Sequence, residues 1–202
     1  MTNLNNIADT VSTLRTTYNS GKTRPLAWRK QQLEALVRMM EDNEAAFSAA
    51  LKADLGKPDV EGFITDIAFV TSEVKAMIKN LTKWNKPQRV PTPLVAMPAK
   101  SQLIPEPLGV VLIIAPWNYP IQLLLVPAAG AIAAGNTVVM KPSEVSAATS
   151  ALLAELVPKY LDTSAVALVE GSVPETTALL EQHFNHIFYT GNGTVGRIVM
   201  AA

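Results

Sequence analysis

Cysteine is absent from all 202 residues, which excludes disulfides, thiolate metal ligands and a thiol nucleophile within this chain. Net charge is lacking too. Seventeen basic residues cancel seventeen acidic ones, so nothing draws the protein to a polyanion and no nucleic acid partner is expected. Only two histidines occur, His183 and His186. No acidic cluster surrounds them at metal-ligand spacing, and they read as junction residues between a helix and a strand. A Ser-His-Asp arrangement with a nucleophile elbow is missing as well. The opening Met-Thr-Asn-Leu-Asn-Asn has no positive region ahead of an apolar run, so no secretory leader is read and a cytoplasmic location is expected. Charge is also absent from residues 107–140, a stretch long enough to be weighed as a membrane span. Its punctuation argues otherwise. Gly109, Pro116, Asn118, Pro120, Pro127, Gly130, Gly135 and Asn136 divide it into the short pieces that buried strand, turn, helix and strand require.

What is present suits an ordinary globular protein, with 49% hydrophobic and 17% charged residues. Leu33, Leu36, Val37, Met40, Phe47 and Leu51 recur at three- and four-residue steps, predicting one long amphipathic helix over 26–51, stopped by Gly56 and Pro58. Phe63, Ile67, Val70, Val74, Met77, Ile78, Leu81 and Trp84 predict a second helix, packed antiparallel on the first. Six prolines, at positions 87, 91, 93, 98, 105 and 107, then hold the chain extended and exclude a helix, leaving an exposed strand or arm over 89–107. Beyond it strands at 110–114, 137–140, 165–169 and 186–189 alternate with helices at 121–134, 147–160 and 175–182, and a final helix opens near Thr194. This pattern gives the fold class α/β: a Rossmann-like parallel sheet with flanking helices, preceded by an N-terminal helical pair and an extended arm. Three segments follow: N-terminal helices at 1–88, the arm at 89–107 and the sheet core at 108–202.

In such sheets ligands sit at the carboxyl ends of the strands, so the loops after Ile114, Met140, Val169 and Tyr189 are the ones to inspect. The last, Thr190-Gly191-Asn192-Gly193-Thr194-Val195-Gly196, has the form of a glycine-rich phosphate loop leading into a helix. Glycines for tight turning at any helix start give the same pattern. Lys141 can hold ribose hydroxyls or a phosphate, with Glu144 as a second polar group, although Lys141, Ser143 and Glu144 also suit a solvated first turn. Asn118 offers a neutral amide to an oxyanion, but asparagine is common in proline-containing turns for local reasons.

Taken together, Pro-Leu-Gly-Val-Val-Leu-Ile-Ile-Ala-Pro-Trp-Asn-Tyr-Pro, Ala-Gly-Asn-Thr-Val-Val-Met-Lys-Pro-Ser-Glu and Phe-Tyr-Thr-Gly-Asn-Gly-Thr-Val-Gly resemble the aldehyde dehydrogenase superfamily, above all its shorter class of fatty and aromatic aldehyde dehydrogenases. The resemblance runs from the early helices to Ala202. It implies NAD or NADP as cofactor, an aldehyde as substrate and a homodimer when complete. By the same resemblance, Asn118 donates to the substrate oxygen as a cysteine thiohemiacetal forms, and Ile114, Ala115, Pro116 and Trp117 line the cofactor cleft. Lys141 and Glu144, with Ser143 between them, match the ribose loop. Gly171 matches a small residue near the adenine, and Thr190, Gly191, Asn192 and Val195 match the pyrophosphate loop. Serine is usual in the family where this chain has Asn192.

The family's cysteine nucleophile is not among these residues, nor is its glutamate base, which belongs on the segment after the last helix. Without a thiol there is no covalent capture of an aldehyde. The chain closes on Val-Met-Ala-Ala without a helix stop signal, so it is read as truncated, its sheet core incomplete and its catalytic domain absent. An unpaired sheet edge and an uncovered apolar face are expected to result. Two functions stay open: the cofactor-binding portion of an aldehyde dehydrogenase, or a stand-alone nucleotide-binding or regulatory module. NAD and NADP are not distinguished, because Glu144 can bond a 2′-hydroxyl or swing away from a 2′-phosphate.

Overall fold

A computed structural model describes residues 6–202. The first five residues, on which most of the reading of no secretory leader rests, lie outside them. The core is a four-stranded parallel sheet of order β5-β4-β3-β6, built from β3 (Val110–Ile114), β4 (Thr137–Lys141), β5 (Val166–Leu168) and β6 (His186–Tyr189). Every residue of β3 and β4 is buried, as an apolar run covered on both faces must be. Side chains alternate between two cores. Val111, Ile113, Val138 and Met140 face one, which also contains α6 (Gln122–Ala134) and α7 (Ala147–Tyr160). Val110, Leu112, Ile114 and Val139 face the other, with Leu179 of α8 (Val173–Leu180) and Val199 of α9 (Gly193–Ala201). The connections thus change face after β5, and the strand order reverses beside β3. Such a switch point opens a crevice at the strand ends. The uncharged stretch is β3, α6 and β4, and among the described residues no helix is long and apolar enough to cross a membrane.

The N-terminal region departs from expectation in three places. An unanticipated helix, α1 (Ile7–Asn19), lays Ile7, Val11 and Leu14 on the second core, a stripe at four- and three-residue steps. The single helix expected over 26–51 is two, α2 (Leu26–Asp42) and α3 (Glu44–Leu55). Asn43 makes the break: its Nδ2 donates to the Met39 carbonyl at 2.9 Å and to Tyr160 Oη at 3.1 Å, a local bond that competes with helix continuation. The second stripe begins earlier than Phe63. It consists of the single turn α4 (Asp59–Gly62), a wide π turn over Phe63–Ile67, and α5 (Ala68–Trp84). The expected antiparallel packing is observed, since Arg29 near the start of α2 bonds Asn85 just past α5 at 2.7 Å while Glu41 near its end pairs with Lys75 at 2.7 Å.

The arm is a hairpin. β1 (Gln88–Val90) pairs antiparallel with β2 (Ser101–Leu103), with Gln88 opposite Leu103. Between them lies a helical turn that the prolines were expected to exclude, the 3-10 turn Leu94–Ala96. It needs only the bonds from Ala96 N to Pro93 O at 2.9 Å and Met97 N to Leu94 O at 3.1 Å, neither of which uses a proline N–H. Other boundaries also shift by one or two residues. The helix expected from Glu175 starts at Val173, because Ser172 and Glu175 form a capping box in which Ser172 N–H donates to Glu175 Oε2 at 2.7 Å. The strand expected over 165–169 shortens to Val166–Leu168. β6 is an edge of the sheet among the described residues, and its Phe188 is exposed.

Candidate functional site

A cleft of about 700 Å³ opens at the switch point, between the loops that follow β3, β4 and β6 and the outer face of α8. That volume lies within the usual range for small-molecule and cofactor sites. Eleven of the twelve residues read from the sequence as cofactor contacts meet in it: Ile114, Ala115, Pro116 and Trp117 from the first loop, Lys141, Ser143 and Glu144 from the second, and Thr190, Gly191, Asn192 and Val195 from the last, with Asn118 beside them. Gly171 is not among the lining residues. It has a positive φ of 139°, and a side chain there would collide with Glu175, so this glycine serves the capping box of α8.

Lys141 is not past the strand but its last residue, which accounts for its burial. Its Nζ donates to the Pro142 carbonyl at 2.6 Å and lies 4.0 Å from Glu144 Oε2. Burial pushes the Lys141 ammonium below its ordinary range, opposed by the nearby charges of Glu144, Glu175 and Glu170. Ser143 and Glu144 lie in the loop rather than in a first helical turn, since α7 begins only at Ala147. The start of α7 is capped from a distance: Asp54 of α3 accepts from Ala148 N at 2.9 Å and Thr149 N at 2.7 Å.

At the opposite wall, Asn192 is the N-cap of α9, its Oδ1 accepting from Val195 N at 3.0 Å. The cap leaves Nδ2 to act as a donor, and the positive end of α9 faces the cleft. At Gly191 the backbone approaches the Tyr189 hydroxyl so closely that a Cβ would displace that side chain. Asn118 is exposed, and among the described residues its side chain makes no hydrogen bond. An asparagine serving only its turn would bond neighbouring backbone; this one does not.

Sequence reading missed the α8 wall: Val173, Thr176, Thr177 and Leu180 also line the cleft. Their steps of three, one and three place them on one helical face, and that spacing was available in the sequence. Half of the stripe is threonine, which blurs its apolar period. His183 and His186 lie away from the cleft, and the His183 carbonyl accepts from Arg15.

The sequence profile of the aldehyde dehydrogenase family matches residues 3–202. An aldehyde dehydrogenase of Craterostigma plantagineum is 50% identical over 192 residues, which cover 95% of this chain and 40% of that protein. The dimeric, NADP-preferring aldehyde dehydrogenase of Rattus norvegicus is 47% identical over 199 residues, covering 98% and 44%. Among solved structures, the substrate-bound state of Staphylococcus aureus AldH matches with a TM-score of 0.93 at 37% identity, covering 96% of this chain and 42% of that one. The chain thus spans about two-fifths of the length of these proteins.

Proposed function

Because the chain belongs to the aldehyde dehydrogenase family, we propose that it is the cofactor-binding portion of an enzyme that oxidises aldehydes to carboxylic acids with NAD or NADP. The observation that carries this reading is the meeting, in one cleft at the switch point, of a buried ammonium, a helix N-terminus and an unengaged amide. These are the donors an anionic dinucleotide and a carbonyl substrate need. Lys141 and Glu144 take the ribose hydroxyls, and the Thr190 to Val195 loop meets the pyrophosphate with main-chain N–H groups and Asn192 Nδ2. The bound dinucleotide supplies the hydride acceptor. Val173 and Leu180, with the methyl groups of Thr176 and Thr177, offer a wall for an aromatic base. Asn118 donates to the substrate oxygen as negative charge grows there, without a proton to lose.

Glu144 is half-exposed, so it can accept from a 2′-hydroxyl or turn outward from a 2′-phosphate, and the loop admits either cofactor. The NADP preference in the rat relative's name favours testing both. That name also supports a homodimer as the complete form. The thiol on which the oxidation depends is not among these residues. Calorimetric titration with NAD and with NADP tests the cofactor reading. One of them is expected to bind, and Lys141→Ala to weaken it about tenfold or more, the scale of one lost charge-assisted hydrogen bond. No binding of either, or equal binding by the variant, refutes it.

A further inference from the structure

Behind the Asn118 loop lies a buried ion pair that the cofactor cleft does not use. Asp66, fully buried, sits on the π turn, and its Oδ2 meets Lys57 Nζ at 2.7 Å. Thr65 Oγ1, whose single proton goes to the Glu61 carbonyl at 2.8 Å, lies 3.3 Å from the same oxygen. The other oxygen, Oδ1, accepts from the main-chain N–H groups of Ile121 at 3.2 Å and Gln122 at 3.1 Å. Lys57 is more than nine-tenths buried, and its Nζ lies 4.1 Å from the centre of the Tyr119 ring. Of the four residues after Asn118, three are therefore gripped by this pair, and the fourth is Pro120, whose φ is fixed by its ring.

We propose that Asp66 and Lys57 are positioning residues that hold the Asn118 loop in place at the start of α6; this rests on the reading of Asn118 as the donor to the substrate oxygen. An apolar pair of similar volume would fill this space at no desolvation cost, whereas a buried ion pair barely repays its own. What an apolar pair could not do is accept two N–H groups at a helix start and face the ring of the residue next to Asn118. The π turn contributes by carrying Asp66 into the packed layer, and wide turns of this kind recur at functional sites. A donor that must meet developing charge gains from such a support, since a misplacement of about 1 Å can cost about a hundredfold in rate.

Two double variants separate positioning from folding, because both remove the buried charges. Lys57→Met with Asp66→Asn keeps a side-chain oxygen for Ile121 and Gln122, and Lys57→Met with Asp66→Leu removes it. In the 202-residue chain, hydrogen exchange at the Ile121 and Gln122 amides is expected to rise tenfold or more in the leucine variant and to stay near wild type in the asparagine variant. In the complete enzyme the leucine variant is expected to lose kcat tenfold or more with dinucleotide KM within twofold, and the asparagine variant to recover kcat to within threefold. Equal exchange and equal kcat in the two variants overturn the proposal. So does a kcat loss matched by a rise in dinucleotide KM, or a failure of both variants to fold. Asn118→Ala is measured alongside: if it keeps full turnover, the reading of Asn118 falls, while the exchange result still decides whether Asp66 holds the loop.

Discussion

Asn118 reaches the cleft from a loop fixed at both ends, by Ala115 N–H on the Lys141 carbonyl at 3.2 Å and by Leu123 N–H on the Tyr119 carbonyl at 3.0 Å. Because its amide makes no bond among the described residues, truncation should leave the fold intact. Asn118→Ala in the complete enzyme is expected to lower turnover about a hundredfold or more, the scale of one lost oxyanion donor, with an unchanged melting temperature. Steady-state kinetics beside a thermal melt checks both halves. A second residue carries a pH dependence. Burial would raise the Asp162 carboxyl, but hydrogen bonds from Lys22, Ser164 and Trp28 outweigh it and hold the group at about 2, against an ordinary value of 3.8. Since the folded value lies below the unfolded one, the unfolded chain takes up the proton first as pH falls. The stability Asp162 contributes is therefore full above about pH 5 and is lost from there down through pH 2. Lys22 is half-exposed, so the contribution is about 1 kcal/mol after solvent screening. Urea midpoints of wild type and Asp162→Asn should differ at pH 6 and converge only below about pH 2.

Elements leave the site loops at angles set by partners far away in sequence. α7 begins without a side-chain cap of its own, and Asp54 from α3 supplies one. Asp54→Ala leaves two N–H groups uncapped and should cost about 1 to 2 kcal/mol. Exchange of the Ala148 and Thr149 amides should rise with it, and a variant with unaltered exchange would show that water serves equally well. α9 follows the opposite rule, since its cap, Asn192, adjoins it in the chain. Strands β3 and β6 and helix α7 were legible at their observed limits, as their residues are bounded by glycine, proline or polar turns. The break at Asn43 was not, because the apolar period continues across it and only the reach of Asn43 to Met39 and Tyr160 reveals it.

At the scale of the whole molecule, the helices α2, α3 and α5 pack on α6 and α7, and their layer, with the π turn ahead of α5, supplies both carboxylates, Asp54 and Asp66, that anchor helices leaving the site loops. The 202-residue chain, purified and saturated with NAD or NADP, is expected to show no sustained aldehyde oxidation, because it contains no thiol to capture the aldehyde. Reduced-cofactor absorbance above a matched blank, with short or long aldehydes, would refute this. The sequence by itself determined the alternation of strands and helices, the four strand-end loops and hence a little over half of the cleft lining, because side-chain period and turn chemistry act between near neighbours. Only the tertiary structure decided that Gly171 makes room for the Glu175 side chain of the α8 cap, that Asp54 and Asp66 hold the starts of α7 and α6, and that α8 closes one wall. Asp54 and Ala148 are 94 residues apart and Asp66 and Ile121 are 55 apart, so these contacts depend on how the layers stack. No local pattern encodes that distance.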